Sequence, residues 1–346
     1  MNPRSAILTI AIPTYNRATK LKAQIEQLLP QLGSEVRLCI YDNASPDHTR
    51  DVVEGFDSQD IFYFRASSNC GGERNFFRCL EECSTEWLWM LSDDDPVLPC
   101  AVADLLKILP QQSCDYISTT VPAWNYPAYQ ANTIVSDIGS LFSNTFFGGL
   151  LWISSGVYKV ASFRPLFRLY NTSMSTWTPH VLVVLSLLES RNGKVLLSPV
   201  RLIDAPPDTP TWSTLDCLVR MSQAPDYLVD PANQRILANR LILEWHYGSL
   251  MTGLREISTS AEIKKWRRIR KQAYANLKAY HPQSIWNYAA RNCLRRGYRK
   301  QSLDMIKIAL MVDLLGLCPV LLFPALKKLL PLSSRARDEY KQREIS

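Results

Sequence analysis

The 346-residue sequence has no Cys-x-x-Cys pair, and its nine cysteines (39, 70, 79, 83, 100, 114, 217, 293 and 318) are odd in number and scattered. That pattern excludes a small disulfide-stapled fold and predicts a reducing compartment. Histidine is scarce: the four, at 48, 180, 246 and 281, form no ligand-spaced cluster, so zinc is not expected. No internal repeat or low-complexity tract occurs. The opening segment MNPRSAILTIAIPTYNR holds an apolar run too short for a secretory core and no small-residue cleavage site after it. The active part is therefore expected in the cytoplasm. No apolar run of the ~20 residues a spanning helix needs is unbroken. The nearest, 306–330, is interrupted by Asp313, Pro319 and Pro324 and ends at Lys327 and Lys328, which suits an in-plane or hairpin anchor better than a span.

What is present is the composition of a folded protein: 47% hydrophobic, 21% charged and 10% aromatic. Extensive disorder is excluded. The net charge of +7 is concentrated late in the chain. Residues 260–300 carry Lys264, Lys265, Arg267, Arg268, Arg270, Lys271, Lys278, Arg291, Arg295, Arg296, Arg299 and Lys300 against Glu262 alone.

The first hundred residues alternate between two periodicities. Short buried runs at 7–12, 36–41, 61–65 and 87–91 read as strands, and helical spacing at 18–32, 48–55 and 73–83 reads as the connections. This order predicts a parallel sheet with crossover helices, whose ligands bind beyond the carboxyl ends of the strands. Residues 115–140 read as a long loop or short strands. Segment 151–158 reads as a strand, 181–189 as an apolar helix and 195–197 as a short strand. Residues 232–330 look almost wholly helical.

Polar clusters follow the strands. Asp93, Asp94 and Asp95 leave the fourth strand, where adjacent carboxylates are costly unless neutralised. A hard divalent cation gripping a diphosphate would neutralise them; an acidic helix-capping turn is the plainer alternative. Asp42 leaves the second strand, placed either to accept from a ribose hydroxyl or a base N–H, or to close an Asx turn. Thr14, Tyr15, Asn16 and Arg17 leave the first, where backbone N–H groups suit a phosphate or a base edge, or simply cap the next helix. Asn69, Gly71, Gly72, Arg74 and Asn75 form a loop and helix start that permits close ligand approach.

In order, IPTYNR, YDNASPDHT, SSNCGGERNF and WLWMLSDDDPVLP resemble the family-2 glycosyltransferases, which have the A-type glycosyltransferase (GT-A) fold; the resemblance covers roughly residues 5–200. Segment Leu151-Trp152-Ile153-Ser154-Ser155 is similar to the abequosyltransferase-like sugar transferases of O-antigen assembly. The resemblance implies an α/β GT-A-type nucleotide-sugar-binding domain over 1–205 with a mostly parallel sheet; residues 206–346 are expected to follow as a helical, membrane-associated region. By position it implies that Pro13, Thr14, Asn16, Arg17, Asn69, Gly72, Arg74, Asn75 and Asp94 border the nucleotide sugar, and that Asp42 holds the base. Asp93 would contact the ribose or sugar as a catalytic residue, and Asp95 would ligate Mn2+ or Mg2+. The implied reaction is inverting transfer from a nucleotide sugar to a saccharide or lipid-linked acceptor in bacterial surface-polysaccharide synthesis. One departure stands out. The family's acidic pair at the acceptor-side helix is replaced by Trp177-Thr178-Pro179-His180, which leaves His180, by its near-neutral titration, or Asp137 as the base. Without a base, the chain would be a non-catalytic sugar-nucleotide-binding relative. A nucleotidyltransferase would instead carry a glycine-rich basic loop after the first strand, and IPTYNR is not one.

The basic residues and aromatics of 260–300, Trp266 among them, suit anionic lipid headgroups and a peripheral location on the inner face of the cell membrane, or else form a helical subdomain packed on the core with a solvated basic face. No segment matches a nucleic-acid-binding module, so nucleic acid is not an expected partner.

Overall fold

The computed structural model describes residues 6–109, 113–121, 128–145, 147–190, 193–204, 214–241 and 259–280. They include one eight-stranded sheet: β1 (Leu8–Thr14), β2 (Val36–Asp42), β3 (Ile61–Arg65), β4 (Trp87–Met90), β5 (Tyr116–Thr119), β6 (Thr133–Val135), β7 (Gly156–Lys159) and β8 (Val195–Ser198), in spatial order 3-2-1-4-7-5-8-6. Strands β1 to β4 are mutually parallel; β7 runs antiparallel between β4 and β5, and β8 is parallel to β5 and antiparallel to β6. β1 and β4 are buried along their whole lengths, as runs covered on both faces must be.

The chain leaves β1 toward β2 and β3 on one side, then returns to place β4 on the other. This reversal opens a crevice beyond the ends of β1 and β4, the switch point where open α/β sheets bind ligands. Register sets what faces it. Thr14 pairs with Asp42, and Ala11 pairs with Met90, so counting three residues on puts Thr14 level with Asp93.

The connections are α1 (Ala18–Leu28), α2 (Thr49–Glu54), α3 (Gly72–Glu81) and α4 (Ala101–Ile108). α1 buries Leu21, Ile25 and Leu28. It stops short of the expected 32 because Pro30 cannot donate into a continuing α-helix, and residues Leu29–Gln31 tighten into a 3-10 turn. Beyond β5 the chain forms α5 (Ile138–Asn144), α6 (Phe147–Leu151), α7 (Val160–Phe163), α8 (Phe167–Ser173) and α9 (Pro179–Glu189). Nine of α9's eleven residues are buried, so it is a core helix rather than a surface one.

α4 had no counterpart among the expected elements. Of the two readings open for 115–140, the short strands are present as β5 and β6 among the described residues, followed by the start of α5. One reading changes. The expected strand over 151–158 is a strand only from Gly156; before it, Ile153–Ser155 form a 3-10 turn. Those residues face inward to hold side chains from elsewhere, which an extended strand would not allow.

The chain divides into two compact units, Met1–Thr211 with Ala224–Leu237, and Trp212–Gln223 with Ala238–Ser346. Later helices are α10 (Thr214–Met221), α11 (Pro231–Arg240) and α12 (Ser260–Lys278). α12 begins in a reciprocal cap, Thr259 Oγ1 accepting from Glu262 N at 3.3 Å and Glu262 Oε2 from Thr259 N at 2.8 Å. It packs on α10 and buries Ile263, Trp266, Ile269, Ala273 and Leu277, leaving Lys264, Lys265, Arg268 and Lys271 exposed. Trp266, expected to face a membrane, is fully buried on the packed face. The expected anchor at 306–330 and the basic residues of 281–300 lie outside the described residues.

Gly193, just after α9, has no room for a side chain: a Cβ would meet the Leu187 carbonyl oxygen at 2.6 Å and its carbonyl carbon at 2.8 Å. Gly193→Ala should cost about 1–3 kcal/mol by overpacking. Gly33→Ala, with nothing within 4 Å, should be neutral. Urea denaturation of both variants checks this; equal midpoints would contradict it.

Candidate active site

The crevice is built from four strand exits. At the first, Thr14 Oγ1 donates to Asp93 Oδ2 at 2.7 Å, and Arg17 Nη1 donates to Asp93 Oδ1 at 3.0 Å and to Asp94 Oδ2 at 2.6 Å. Lys20 Nζ lies 3.6 Å from the same Asp94 oxygen. Asn16 turns the chain with a left-handed backbone, φ +56°, and its N–H donates to Ser45 Oγ at 2.9 Å. Pro13 is buried within β1 opposite Tyr41.

At the second exit Asp42 is fully buried and its carboxylate is saturated. Oδ1 accepts from Ser45 N at 2.8 Å and Ser45 Oγ at 2.5 Å; Oδ2 accepts from Tyr63 Oη at 2.6 Å and Arg65 Nη1 at 2.7 Å. Four donors fill the roughly four lone-pair positions a carboxylate has. Asp42 therefore closes the turn, while Asp47 starts two helices: Oδ1 accepts from Thr49 N at 3.1 Å and Oδ2 from Ala18 N at 3.0 Å.

The third exit is a small amide network. Asn43 Nδ2 donates to Asn69 Oδ1 at 2.9 Å, Asn43 Oδ1 accepts from Cys70 N at 2.9 Å, and Gly71 adopts φ +88°, which glycine tolerates. Gly72 starts α3 with open space around it. Asn75 is buried and ties α3 to β2 through Tyr41 O at 2.8 Å. Arg74 pairs with Glu81 at 3.1 Å on the helix surface and makes none of its described contacts with the strand-end carboxylates.

At the fourth exit the three aspartates diverge. Asp93 leans on β1 and Asp95 on the segment before β7. Asp95 Oδ2 accepts from Trp152 Nε1 at 2.8 Å and Ser154 Oγ at 2.6 Å. Arg17 supplies positive charge to both Asp93 and Asp94. Burial pushes Asp93 up to about 6 despite Arg17 and Thr14. For Asp94 burial also works upward, but the Ser92 bond, Arg17 and Lys20 outweigh it and hold the group below its ordinary value. Burial raises Asp95 as well, against the Ser154 and Trp152 bonds, and no side-chain cation pairs with it in the described contacts.

A divalent ion that keeps waters and substrate phosphates as ligands needs only one or two carboxylates. Among the described residues no cluster of three or more His, Cys, Asp or Glu exists, so a fuller protein cage is not on offer there. Asp95 fits the smaller requirement: a buried carboxylate with Oδ1 accepting no hydrogen bond in the described contacts.

Sequence reasoning overlooked three residues as site residues. Trp152 and Ser154 hold Asp95, and Gln24 of α1, buried, donates to Asp95 O at 2.7 Å and Ser92 O at 3.2 Å. Gln27 and Gln31 continue this stripe, accepting from Val97 N at 2.9 Å and Val102 N at 3.2 Å. Their i, i+3, i+7 spacing was the available signal.

His180 opens α9 and reaches the same short segment: Nε2 lies 3.3 Å from Leu151 O. A carbonyl only accepts, so Nε2 carries the proton and Nδ1 the lone pair. The expectation of near-neutral titration is not met, because burial pulls the imidazole down to about 4. Asp137, the other expected base, is the N-cap of α5, accepting from Ser140 N at 2.8 Å and Ser140 Oγ at 2.6 Å; those bonds hold its pKa down.

His180 makes stability depend on pH. Above 6.5 the imidazole is neutral in both folded and unfolded chains; below 6.5 the unfolded chain takes up a proton that the folded one refuses until about 4. Stability is therefore lost as pH falls through this window, by roughly 2–3 kcal/mol at the acid end. His180→Gln should lose correspondingly less between pH 7 and 4.5 in urea melts. Identical pH dependence in the two proteins would refute the buried neutral imidazole.

The profile of Glycosyl transferase family 2 matches residues 9–160. Abequosyltransferase RfbV of Salmonella typhimurium is 29% identical over 120 residues, 32% of this chain and 35% of that protein. GalNAc(5)-diNAcBac-PP-undecaprenol beta-1,3-glucosyltransferase of Campylobacter jejuni is 29% identical over 103 residues, 29% of this chain and 33% of that one. The chain thus spans about a third of the length of these curated relatives. Among solved structures, S. aureus TarS 1–349 in complex with UDP superposes with a TM-score of 0.59 at 16% identity, covering 84% of this chain and 91% of that one. The strand order and the switch point agree with these matches: over residues 9–160 the chain is similar to the family-2 glycosyltransferases, and its fold is of the GT-A type.

Proposed function

We propose that the protein transfers a sugar from a nucleoside-diphosphate donor to a saccharide or lipid-linked acceptor in surface-polysaccharide synthesis, inverting the anomeric carbon. Catalysis belongs to residues 1–205, and 206–346 is the helical appendage. The observation that carries the reading is the pair of buried carboxylates at the switch point, Asp93 held by Thr14 and Arg17, Asp95 held on one oxygen only. The relatives' printed names, an abequosyltransferase and a glucosyltransferase whose acceptor is a diphospho-undecaprenol, favour the same chemistry here. No observation favours a non-catalytic relative.

Asp95 would hold Mn2+ or Mg2+, which when bound neutralises charge on a departing diphosphate. Asp93 faces the donor's ribose or sugar, with Thr14 and Arg17 fixing its orientation. Pro13, Asn16 and Asp42 border the base, and the Asn69–Gly72 loop shapes that end. His180 is the acceptor-side group, its Nδ1 lone pair unprotonated at neutral pH. With its conjugate acid near pKa 4 it is a weak base, so its contribution belongs at the low end of general-base catalysis, about 100-fold.

The exposed face of α12, with Lys264, Lys265, Arg268 and Lys271, supports attachment to anionic lipid by charge rather than by aromatic insertion, since Trp266 is buried. Among the described residues no helix is long and apolar enough to cross a membrane. Reversing these four charges should abolish sedimentation with phosphatidylglycerol vesicles at low salt. Retained sedimentation would remove α12 from that role.

The central test is a thermal-shift panel of UDP-, GDP-, dTDP- and CDP-sugars with and without MnCl2, which reads donor and metal through ligand linkage. One donor should stabilise the protein, more so with MnCl2, and Asp95→Asn should erase the manganese increment. In turnover with that donor, His180→Gln should lower kcat about 100-fold with donor affinity unchanged. No stabilisation by any donor would sink the transferase reading, and wild-type kcat in His180→Gln would return that residue to the core.

A further inference from the structure

We infer that Trp152 and Ser154 are positioning residues that fix which oxygen of Asp95 meets the cation. The inference rests on the transferase reading above and deepens its metal site.

Two donors from one short segment converge on one atom. Trp152 Nε1 and Ser154 Oγ both reach Asp95 Oδ2, at 2.8 and 2.6 Å, and neither reaches Oδ1. A carboxylate needing only desolvation relief would be served as well by one donor on each oxygen. Here Oδ2 is committed and Oδ1 is the oxygen left for a ligand. Ser154 is itself pinned: its Oγ accepts from Ser92 N at 2.8 Å, and its carbonyl accepts from Trp89 Nε1 at 2.9 Å. The Asp95 backbone is held independently by Gln24 at 2.7 Å. Rotation about the Asp95 side chain is thus opposed from two sides while its main chain is opposed from a third, the arrangement that preorganises a ligand. The same segment accepts His180 at Leu151 O, so one run of four residues carries the metal-side and acceptor-side contacts together.

Outer partners of metal ligands typically change metal affinity by about 10–100-fold when removed. The experiment uses the full chain with the donor that stabilises it in the panel above, and reads the MnCl2 concentration giving half of the manganese-dependent stabilisation. Trp152→Phe, which keeps the ring and drops the donor, and Ser154→Ala should each raise that concentration by about 10–100-fold, with metal-free stabilisation by the nucleotide unchanged. Gln31→Met is the control. It removes bonds to Leu98 and Val102 without touching Asp95. It should lower Tm and leave the MnCl2 midpoint in place. A wild-type midpoint in Trp152→Phe overturns the inference, as does an equal shift in Gln31→Met. Should Ser154→Ala not fold, Trp152→Phe decides alone. A wild-type protein stabilised by the nucleotide but indifferent to MnCl2 would instead remove the metal from the proposed function, and this inference with it.

Discussion

Three consecutive carboxylates at the end of a buried strand cannot share one environment, and the fold resolves this by sending them to different partners. β4 lies between β1 and β7; the β1 side takes two of the acids and the approach to β7 takes the third. Arg17 and Thr14 reach across from β1 to Asp93, and Arg17 continues to Asp94. Trp152 and Ser154 reach across from the approach to β7 to Asp95. The first side supplies a cation; the second supplies only neutral donors. The asymmetry leaves Asp95 with two hydrogen-bond donors and no side-chain cation among its described contacts.

The parallel half of the sheet was legible because burial on both faces writes mostly apolar runs into β1, β4 and, past Arg37, β2, and because polar turns punctuate them. Local signals failed where tertiary contacts decide. Nothing in the composition of 151–155 forbids a strand; it becomes a turn because Trp152, Ser154 and the Leu151 carbonyl are needed by Asp95 and His180. Pro30 was a readable stop to α1 that helical periodicity to Leu32 overrode. At the site, the acidic residues themselves were visible in the sequence, whereas their holders were not. An indole, a hydroxyl and a glutamine look like core and surface residues until the register places them. The titration of His180 was also beyond the sequence, because it depends on how completely α9 is enclosed.

The turns after β2 and β4 are joined through α1. Its first N–H bonds to Asp47, the residue preceding it clasps Asp93 and Asp94, and Gln24 and Gln27, with Gln31 of the 3-10 turn that follows, fasten the backbone from Ser92 to Val102. A single rigid rod therefore spaces the two ends of the crevice, so a nucleotide bridging them meets a distance set by helix geometry rather than by loop conformation.

Asp42 illustrates a different economy. With Ser45, Tyr63 and Arg65 occupying both its oxygens, an incoming heterocycle can engage it only by evicting a partner of similar strength. Such an exchange is close to neutral in free energy. Purchase on the donor would then come chiefly from its phosphates, and the identity of its ring would be judged by which intramolecular bond it can replace.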